Sequence, residues 1–348
     1  MRTADQFRST WHAVRTSRFA PALVIVAILG IAAALFVGSY TYSTANPKPE
    51  RVPIAVVGTL PGSQSAEVEV KLAHELGSSL DVRHVATDAE AFDQLQNQQV
   101  FAVVDIDVDT RTVDVAVSSA SGATVAELLE QATPQATAGL GYTVNVRDVN
   151  PLQPRDPHGL TIFYMMLAAV IIGFVGAIQL GVHANKLRPW ERIGFTALYS
   201  LLGDFTICAM IDWIIGALTL PVLEVWLILA LTMFTCGMIF TMFSSMFGRW
   251  AILPTWAVMV LLGNPSSGGS VAWPLLPRVI ATIGGWLPPG ASVNALHTAV
   301  YFRGHQHLWP FLVLVLWSVV SIAVYLFERR VRGHAPSRTA ATADIGAA

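Results

Sequence analysis

Two aspartates, Asp204 and Asp212, lie in an apolar segment, where a charge is costly. At about 100° per residue, their spacing of eight positions places them roughly 80° apart around a helix, on one broad face. Carboxylates within membrane helices commonly serve function, so one interpretation is a polar or proton-linked pathway. The other is a pair of carboxyls that hydrogen-bond neighbouring helices or are neutralised by burial. No basic residue lies at matching depth, and both interpretations stay open.

Further along the chain, small and polar residues interrupt another apolar segment. Ala251–Leu262 provides only 12 largely apolar positions, about 18 Å of helix. The string Gly-Asn-Pro-Ser-Ser-Gly-Gly, from Gly263 to Gly269, then breaks the helical pattern. Irregular backbone at membrane depth is tolerated only where it is buried in protein or lines a wet cavity. We therefore expect irregular or re-entrant backbone between Gly263 and Pro289.

Three other chemistries receive less support. His305 and His307 alternate as two ligands on a strand would, but a metal site needs three or four ligands, so interfacial histidines are favoured. Ser266 or Ser267 with His297 would make a membrane hydrolase only if the histidine lay within hydrogen-bond reach, so loop turns are favoured. No Gly-x-x-x-x-Gly-Lys-Ser/Thr string occurs, which argues against an ATPase. We predict no catalytic residue, cofactor or metal.

Helices that cross a membrane must position these residues. The chain is 53% hydrophobic and 13% charged, whereas soluble proteins are about 25% charged. Five runs are long enough for a hydrocarbon core of about 30 Å: Phe19–Tyr40, Leu160–Val182, Ile193–Leu218, Val225–Phe247 and Leu308–Phe327. The short segment Ala251–Leu262 makes a sixth crossing. Cys208 and Cys236 lie inside apolar runs and predict buried thiols.

The basic residues predict the orientation of these crossings. With six crossings, 12 of the 14 Lys/Arg outside residues 44–160 fall on one side, and only Arg278 and Arg303 do not. Because basic residues concentrate in cytoplasmic loops, that side is the cytoplasm. The sequence therefore predicts a multi-pass plasma-membrane protein with both termini cytoplasmic.

The segment between the first two crossings predicts an α/β domain outside the cytoplasm. Five strands are predicted, in the order β-α-β-α-β-β-α-β: Val52–Val57, Val82–Ala86, Val100–Ile106, Val113–Ser118 and Tyr142–Val149. Thr87 with Glu90, and Thr124 with Glu127, predict capping boxes at two helix starts. Residues 44–160 carry 7 Lys/Arg against 16 Asp/Glu, an acidic balance that argues against nucleic-acid binding.

The predicted organisation has five parts. They are a cytoplasmic tail (1–18), a first transmembrane helix (19–41), an extracytoplasmic α/β domain (42–158), a five-helix membrane domain (159–328) and an unstructured cytoplasmic tail (329–348). The fold class is an α-helical membrane protein of six transmembrane helices, one before the inserted domain and five after it. A re-entrant region lies between the fifth and sixth helices.

Two strings in this arrangement carry a resemblance to a known family. Gly-Asn-Pro-Ser-Ser-Gly-Gly follows the fifth crossing, and Trp-Leu-Pro-Pro-Gly, from Trp286 to Gly290, precedes the sixth. Over residues 19 to 330 the chain resembles the type-two ABC-exporter permease superfamily, in the branch of phage infection protein-like actinobacterial membrane proteins. The resemblance implies a homodimeric or heterodimeric permease that exports hydrophobic or amphipathic molecules, powered by a separate ATPase.

The polar residues within the crossings and the resemblance together give the candidate site residues. The candidates for a transport pathway are Asp204, Asp212, Asn264, Ser266, Ser267, Gly268 and Gly269. The candidates for contact with an ATPase lie in the cytoplasmic turn after the second crossing: Lys186, Arg188, Glu191 and Arg192. The alternative is a non-transporting surface protein whose external domain binds an envelope component or partner. A plain anchor would need neither carboxylates in a crossing nor a broken fifth helix.

Overall fold

The computed structural model of the protein describes residues 19–44, 51–57, 70–71, 74, 80–107, 109–138 and 141–333. Residues 1–46 and 47–348 form two compact units, and each is described by itself. Among the described residues, five helices are long and apolar enough to cross a membrane, and they correspond to the five long predicted crossings. The protein is therefore mainly helical, with five candidate membrane-spanning helices among the described residues and one small α/β domain.

Helix α1, Ala20–Thr44, is the described part of the first unit. It contains no Asp, Glu, Lys or Arg, and its mean hydropathy reaches 2.7. The hydroxyls of Ser39 and Ser43 donate to the carbonyls of Phe36 and Ser39, at 3.0 and 2.8 Å. Because these polar groups are satisfied within the helix, α1 can face hydrocarbon along its length.

The second unit begins with a five-stranded sheet, and all five predicted strands are confirmed to within two residues. The strands are β1 (Val52–Val57), β2 (Leu80–Val85), β3 (Ala102–Asp107), β4 (Thr112–Val117) and β5 (Thr143–Asp148). Their order across the sheet is β2-β1-β3-β4-β5, and only the β3–β4 pair is antiparallel. The helix predicted between β1 and β2 falls mostly outside the described residues.

Both faces of the sheet are covered, as a largely parallel sheet requires. Successive residues point to opposite faces, so Ile54 and Ala55 belong to different cores. Helix α2, Asp88–Gln96, covers one face, and helix α3, Ala123–Thr137, covers the other.

The two predicted capping boxes have different outcomes. Thr87 is the N-cap of α2, and its Oγ1 accepts a hydrogen bond from the Glu90 N–H at 3.3 Å. The box at Thr124 is wrong, because the N-cap of α3 is Gly122, two residues earlier, and it makes no side-chain cap. A Cβ at Gly122 would lie 2.7 Å from the Ala272 Cβ. The first residue before α3 is therefore in a tightly packed position, where a side chain would collide with Ala272.

The membrane part is built around one central helix. The long helices are α4 (Thr161–His183), α5 (Pro189–Ala209, continued by a π-helix over Met210–Ile215), α6 (Val222–Phe247) and α10 (Leu308–Gly333). Helix α6 packs against the other three. It is apolar all round, the pattern of a buried helix. Helix α10 continues past the predicted end of the crossing, so residues 329–333 of the predicted tail are helical.

Glycines allow α4, α5 and α6 to approach closely. A Cβ at Gly173 of α4 would lie 2.6 Å from the Met233 carbonyl oxygen of α6. The Tyr199 hydroxyl of α5 donates to the Gly173 carbonyl at 2.6 Å, and its ring lies against Gly176. Small residues at a helix contact are typical of membrane bundles, where close packing drives association.

The segment between α6 and α10 is broken, as predicted. Helix α7, Ile252–Trp256, continues as a π-helix over Ala257–Gly263, giving a short apolar helix that ends where the glycine and serine string begins. Turns and bends then lead to a 3-10 turn at Trp273–Leu275, helix α8 (Arg278–Gly284) and helix α9 (Pro288–Tyr301). The passage of this segment through a membrane stays a prediction.

Candidate functional site

The two strings that carried the family resemblance meet in space. A Cβ at Gly263 would lie 2.6 Å from Pro289 Cγ, so the end of the fifth segment abuts the start of α9. The Ser266 carbonyl oxygen lies against Gly284, and the Gly284 carbonyl oxygen lies against Gly290. Backbone occupies the space that side chains would need at both glycines, which favours glycine at these positions.

Hydrogen bonds within the serine and glycine string hold its conformation. Ser266 Oγ donates to the Leu262 carbonyl at 2.6 Å, and Ser267 Oγ donates to the Asn264 carbonyl at 2.7 Å. Gly268 has a φ of +78°, a left-handed conformation that favours glycine. Asn264 is buried, and its Oδ1 has no hydrogen-bond partner in the part of the chain that the structure describes.

The α/β domain is docked onto this broken segment. Leu275 lies in the hydrophobic core beneath the sheet and is 2% exposed. The rings of Phe101 and Trp273 lie 5.8 Å apart, and Gln98 Nε2 donates to Thr298 Oγ1 at 2.8 Å. A side chain from the membrane part therefore completes the core of the domain.

A second set of contacts joins the end of the domain to the end of α5. The Gln153 side chain accepts from the Thr219 N–H at 2.7 Å and donates to the Thr219 carbonyl at 3.3 Å. Arg155 Nη1 donates to the carbonyls of Ile215 and Gly216 at 3.3 and 3.4 Å. These carbonyls lie where the π-helix ends, so Arg155 satisfies acceptors that a helix end leaves without partners.

A cavity of about 440 Å³ lies between the domain and the broken segment. The domain contributes polar and apolar groups around Gln98, Phe101 and the turn 119–124. The membrane part contributes residues 266–273 and the inner face of α9. Of the predicted pathway residues, Ser266, Ser267, Gly268 and Gly269 line the cavity, and Asn264 does not. No Asp, Glu, Lys or Arg occurs among its described lining residues.

His297, on α9, is a half-buried titratable group of this lining. Burial lowers the pKa of His297 to about 4, while the Ala120 backbone and Asp156 act in the opposite direction. The ring is therefore neutral at pH 7. Both serine hydroxyls donate to backbone carbonyls, and within the described chain no hydrogen bond joins His297 to either of them. The geometry gives no support to a serine hydrolase.

Asp204 and Asp212 occupy different environments. Asp204 is 0% exposed, and neither of its carboxylate oxygens has a hydrogen-bond partner among the described residues. Asp212 lies on the π-helix and is half-buried. Cys208 lies within electrostatic range of both carboxyls. The structure places neither aspartate in the lining of the cavity beneath the domain.

Asp204 belongs to a buried stripe on α5 that recurs every fourth residue. Its members are Arg192, Thr196, Ser200, Asp204 and Cys208. The hydroxyls of Thr196 and Ser200 donate to the carbonyls four residues before them, at 2.9 and 2.8 Å. Sequence reasoning singled out the aspartate and missed the stripe, although a spacing of four was the available signal.

The four candidates for contact with an ATPase differ in exposure. Lys186, Arg188 and Glu191 are exposed, and the Glu191 carboxylate accepts the Arg188 N–H at 2.7 Å, which caps the start of α5. Arg192 is only 7% exposed. Its guanidinium lines a cavity between α5, α6 and α10 and does not share the exposed surface of the other three residues. Contact of these four residues with an ATPase stays a prediction.

No family model, curated protein or solved structure matches this chain. The site therefore rests on its own geometry. Sequence reasoning missed the contribution of the domain to the cavity, namely Gln98 and the turn from Ser119 to Thr124. The signal available was the string Ser-Ala-Ser-Gly, residues 119–122, which directly follows a strand and contains only small residues.

Proposed function

We propose that the protein is the membrane permease subunit of an ABC-type exporter that moves hydrophobic or amphipathic molecules out of the cell. The cavity beneath the α/β domain is the observation that carries the proposal. Its volume of about 440 Å³ falls within the range of small-molecule sites, about 300–1,000 Å³. In this proposal six crossings place the domain and the cavity outside the cytoplasm, with both termini inside.

The lining of the cavity suits one class of cargo. Apolar groups such as Phe101, Val293 and Trp309 alternate with hydroxyl and amide groups such as Ser121 and Asn294. The lining has no charged side chain in the described chain, and His297 is neutral at pH 7. A charged ligand would lose hydration without gaining an ion pair there, whereas an uncharged amphiphile would satisfy both kinds of surface. The proposed cargo is therefore an amphiphile with an uncharged polar part.

The environment of Asp204 favours a bundle that changes conformation over a passive anchor. A carboxylate at mid-bilayer costs about 2.5–3.5 kcal/mol on insertion scales. In the described structure no donor offsets this cost. A second conformation that offers Asp204 a partner, as alternating access would, explains its presence. In a permanent anchor the same residue would only destabilise the bundle.

A separate ATPase is part of the proposal, because the chain has no nucleotide-binding string. The exposed turn with Lys186, Arg188 and Glu191 offers it a charged contact. A homodimer or heterodimer of the chain would complete the permease. The docking of the domain through Leu275 counts against the alternative of a surface receptor, since a tethered binding module needs no shared core with its anchor.

The test is accumulation of an uncharged fluorescent alkyl glycoside in cells with and without the protein. Asn294→Trp places a large ring in the cavity, and Thr282→Trp adds the same ring at an exposed site outside it. We expect wild type and Thr282→Trp to lower cellular fluorescence, and Asn294→Trp and Asp204→Asn to abolish the effect at equal protein levels. Equal accumulation in cells with and without the wild-type protein would refute export of this class.

A second measurement tests the ATPase. A photoreactive cross-linker attached to Arg188→Cys, in a variant with both native cysteines replaced by alanine, should capture a protein that hydrolyses ATP. The same cross-linker at Asp109→Cys, on the α/β domain, should not. Capture from neither position, with export intact, would remove the ATPase from the proposal.

A further inference from the structure

A second cavity, of about 410 Å³, lies at the other end of the bundle from the α/β domain. Its lining combines three helices: Arg192 of α5, Thr241, Ser244 and Ser245 of α6, and Tyr325, Glu328 and Arg329 of α10. None of these residues belongs to the cavity beneath the domain. All of these side chains carry polar groups, and three of them are ionisable as Arg or Glu.

Arg192 is the group in this cavity that most clearly lacks a partner. The residue is 7% exposed, and its Nη2 donates to the Leu180 carbonyl at 3.2 Å. Its buried Nε has no hydrogen-bond partner, and no carboxylate lies within 4 Å of the guanidinium among the described residues. A buried, unpaired guanidinium is strongly unfavourable, so an anion that enters the cavity would relieve a real cost.

Tyr325 presents a second donor without a partner. The residue is 1% exposed, and its hydroxyl has no hydrogen-bond partner within the described structure. The Arg329 guanidinium lies 5.8 Å from the centre of the Tyr325 ring, which holds a second positive charge beside the same cavity. On α6, Thr241 and Ser245 already donate to backbone carbonyls, at 2.8 and 2.7 Å, so their oxygens remain available as acceptors.

The charges of the lining define the ligand. Two guanidiniums and the Glu328 carboxylate leave one net positive charge, which a phosphodiester with its single negative charge neutralises. Planar guanidinium donors match phosphate oxygens well. We propose that this cavity binds a phosphate group of single net charge, the chemistry of a phospholipid headgroup or of free monobasic phosphate. The ends of long apolar helices lie at the level of lipid headgroups, where such a group is abundant.

The proposal does not depend on export. It assigns a ligand to the basic end of the bundle, whatever the cavity beneath the domain transports. Residues 186–192, 249 and 328–332 contain seven Lys/Arg and two Asp/Glu, so the surrounding field also attracts an anion.

The experiment uses the purified full-length protein and has two arms. In the lipid arm, protein in a non-ionic detergent is titrated with short-chain phosphatidylglycerol, and the bound lipid is counted by native mass spectrometry. In the phosphate arm, inorganic phosphate replaces the lipid and the thermal midpoint is followed, with sulfate at equal ionic strength as the reference. Wild type is compared with Arg192→Gln, Tyr325→Phe and the control Arg249→Gln, which removes an exposed arginine at the same end of the bundle.

We expect Arg192→Gln to weaken binding by about tenfold or more, because a hydrogen bond to a charged group is lost. Tyr325→Phe removes one hydroxyl, changes no charge and should weaken binding several-fold even if Arg192→Gln folds poorly. Arg249→Gln should bind as wild type. Binding in the lipid arm alone identifies a headgroup, and binding in the phosphate arm identifies the free ion. If Arg249→Gln weakens binding as much as Arg192→Gln, the ligand is not bound in this cavity and the proposal is overturned. Failure of wild type to bind in both arms overturns the proposal.

Discussion

At Gly284 and Gly290 neighbouring segments pack backbone against backbone. The Ser266 carbonyl, in the turn after the π-helix, lies against the first glycine, and the Gly284 carbonyl lies against the second. A flexible side chain could move away from an added methyl group, but a peptide unit in a packed interior has no such freedom. These two glycines therefore allow the segment 263–269 and the start of α9 to approach closely beside the cavity.

We predict that Gly290→Ala destabilises the protein by about 1–3 kcal/mol, the usual cost of overpacking. The measurement is the thermal midpoint of the detergent-solubilised protein, followed by tryptophan fluorescence. Gly285→Ala is the matched control, since only the Thr282 carbonyl lies near its Cβ position, at an ordinary contact distance of 3.6 Å. Equal midpoints for Gly290→Ala and the control would show that the Gly284 carbonyl leaves room for a side chain at position 290.

His297 should make the protein sensitive to mild acid. Its pKa is lowered to about 4 in the folded protein, while an unfolded chain has a value near 6.5. Between those pH values the unfolded state binds more protons, so stability is complete above about pH 6.5 and falls as the pH is lowered toward 4. His297→Gln should lose less of its thermal midpoint between pH 7 and pH 4.5 than wild type. The exposed His84→Gln should behave as wild type, and parallel pH profiles for all three proteins would contradict the argument.

At the scale of elements, two neighbouring strands carry an unfavourable pair. Asp105 of β3 lies directly opposite Asp114 of β4 in the antiparallel register. Burial raises the pKa of Asp105, and the charges of Asp88, Asp114 and Asp107 add to the effect. Asn145 donates to Asp114 at 2.9 Å, so one member of the pair has a local partner. Hydrophobic burial of the valines in the sheet therefore outweighs the unfavourable interaction between these two aspartates.

We predict that Asp105→Asn stabilises the protein at pH 7 by about 0.2–1 kcal/mol, the usual size of a cross-strand pair. A raised pKa means that ionisation of Asp105 costs stability above that pKa. The gain should therefore disappear near pH 3, where the carboxyl is protonated in folded and unfolded states alike. Chemical unfolding at the two pH values measures it. Asp109→Asn, in the exposed turn after β3, should give no gain, and a gain that persists at pH 3 would point to packing instead of charge.

In the second unit, the α/β domain takes part of its core from the membrane part. Leu275 belongs to the membrane part and yet completes the hydrophobic cluster beneath the sheet. Gln153 and Arg155 hold the far end of the domain to α5. The domain is therefore an integrated part of the second unit.

The second unit is predicted to place Asp109 and Lys186 on opposite sides of the membrane. In a variant with both native cysteines replaced by alanine, Asp109→Cys should react with a membrane-impermeant maleimide in intact cells, and Lys186→Cys should react only after lysis. Both positions are exposed in the structure, so access depends on the side of the membrane alone. The physical reason is the concentration of basic residues at the Lys186 end. Labelling with the opposite pattern would invert the predicted topology.

Most of the long elements follow from local patterns, because hydrophobic periodicity and run length are local properties. The five strands, the five long apolar helices and the break after Gly263 all follow from the sequence. It also placed Asp204 in an apolar helix, where burial costs free energy. Three features depend on the tertiary structure: Ser119 and Ser266 line one cavity, Arg192 and Tyr325 line another, and Leu275 completes the core of the domain. Those features join residues far apart in the chain, and they depend on how whole elements pack, which no local pattern encodes.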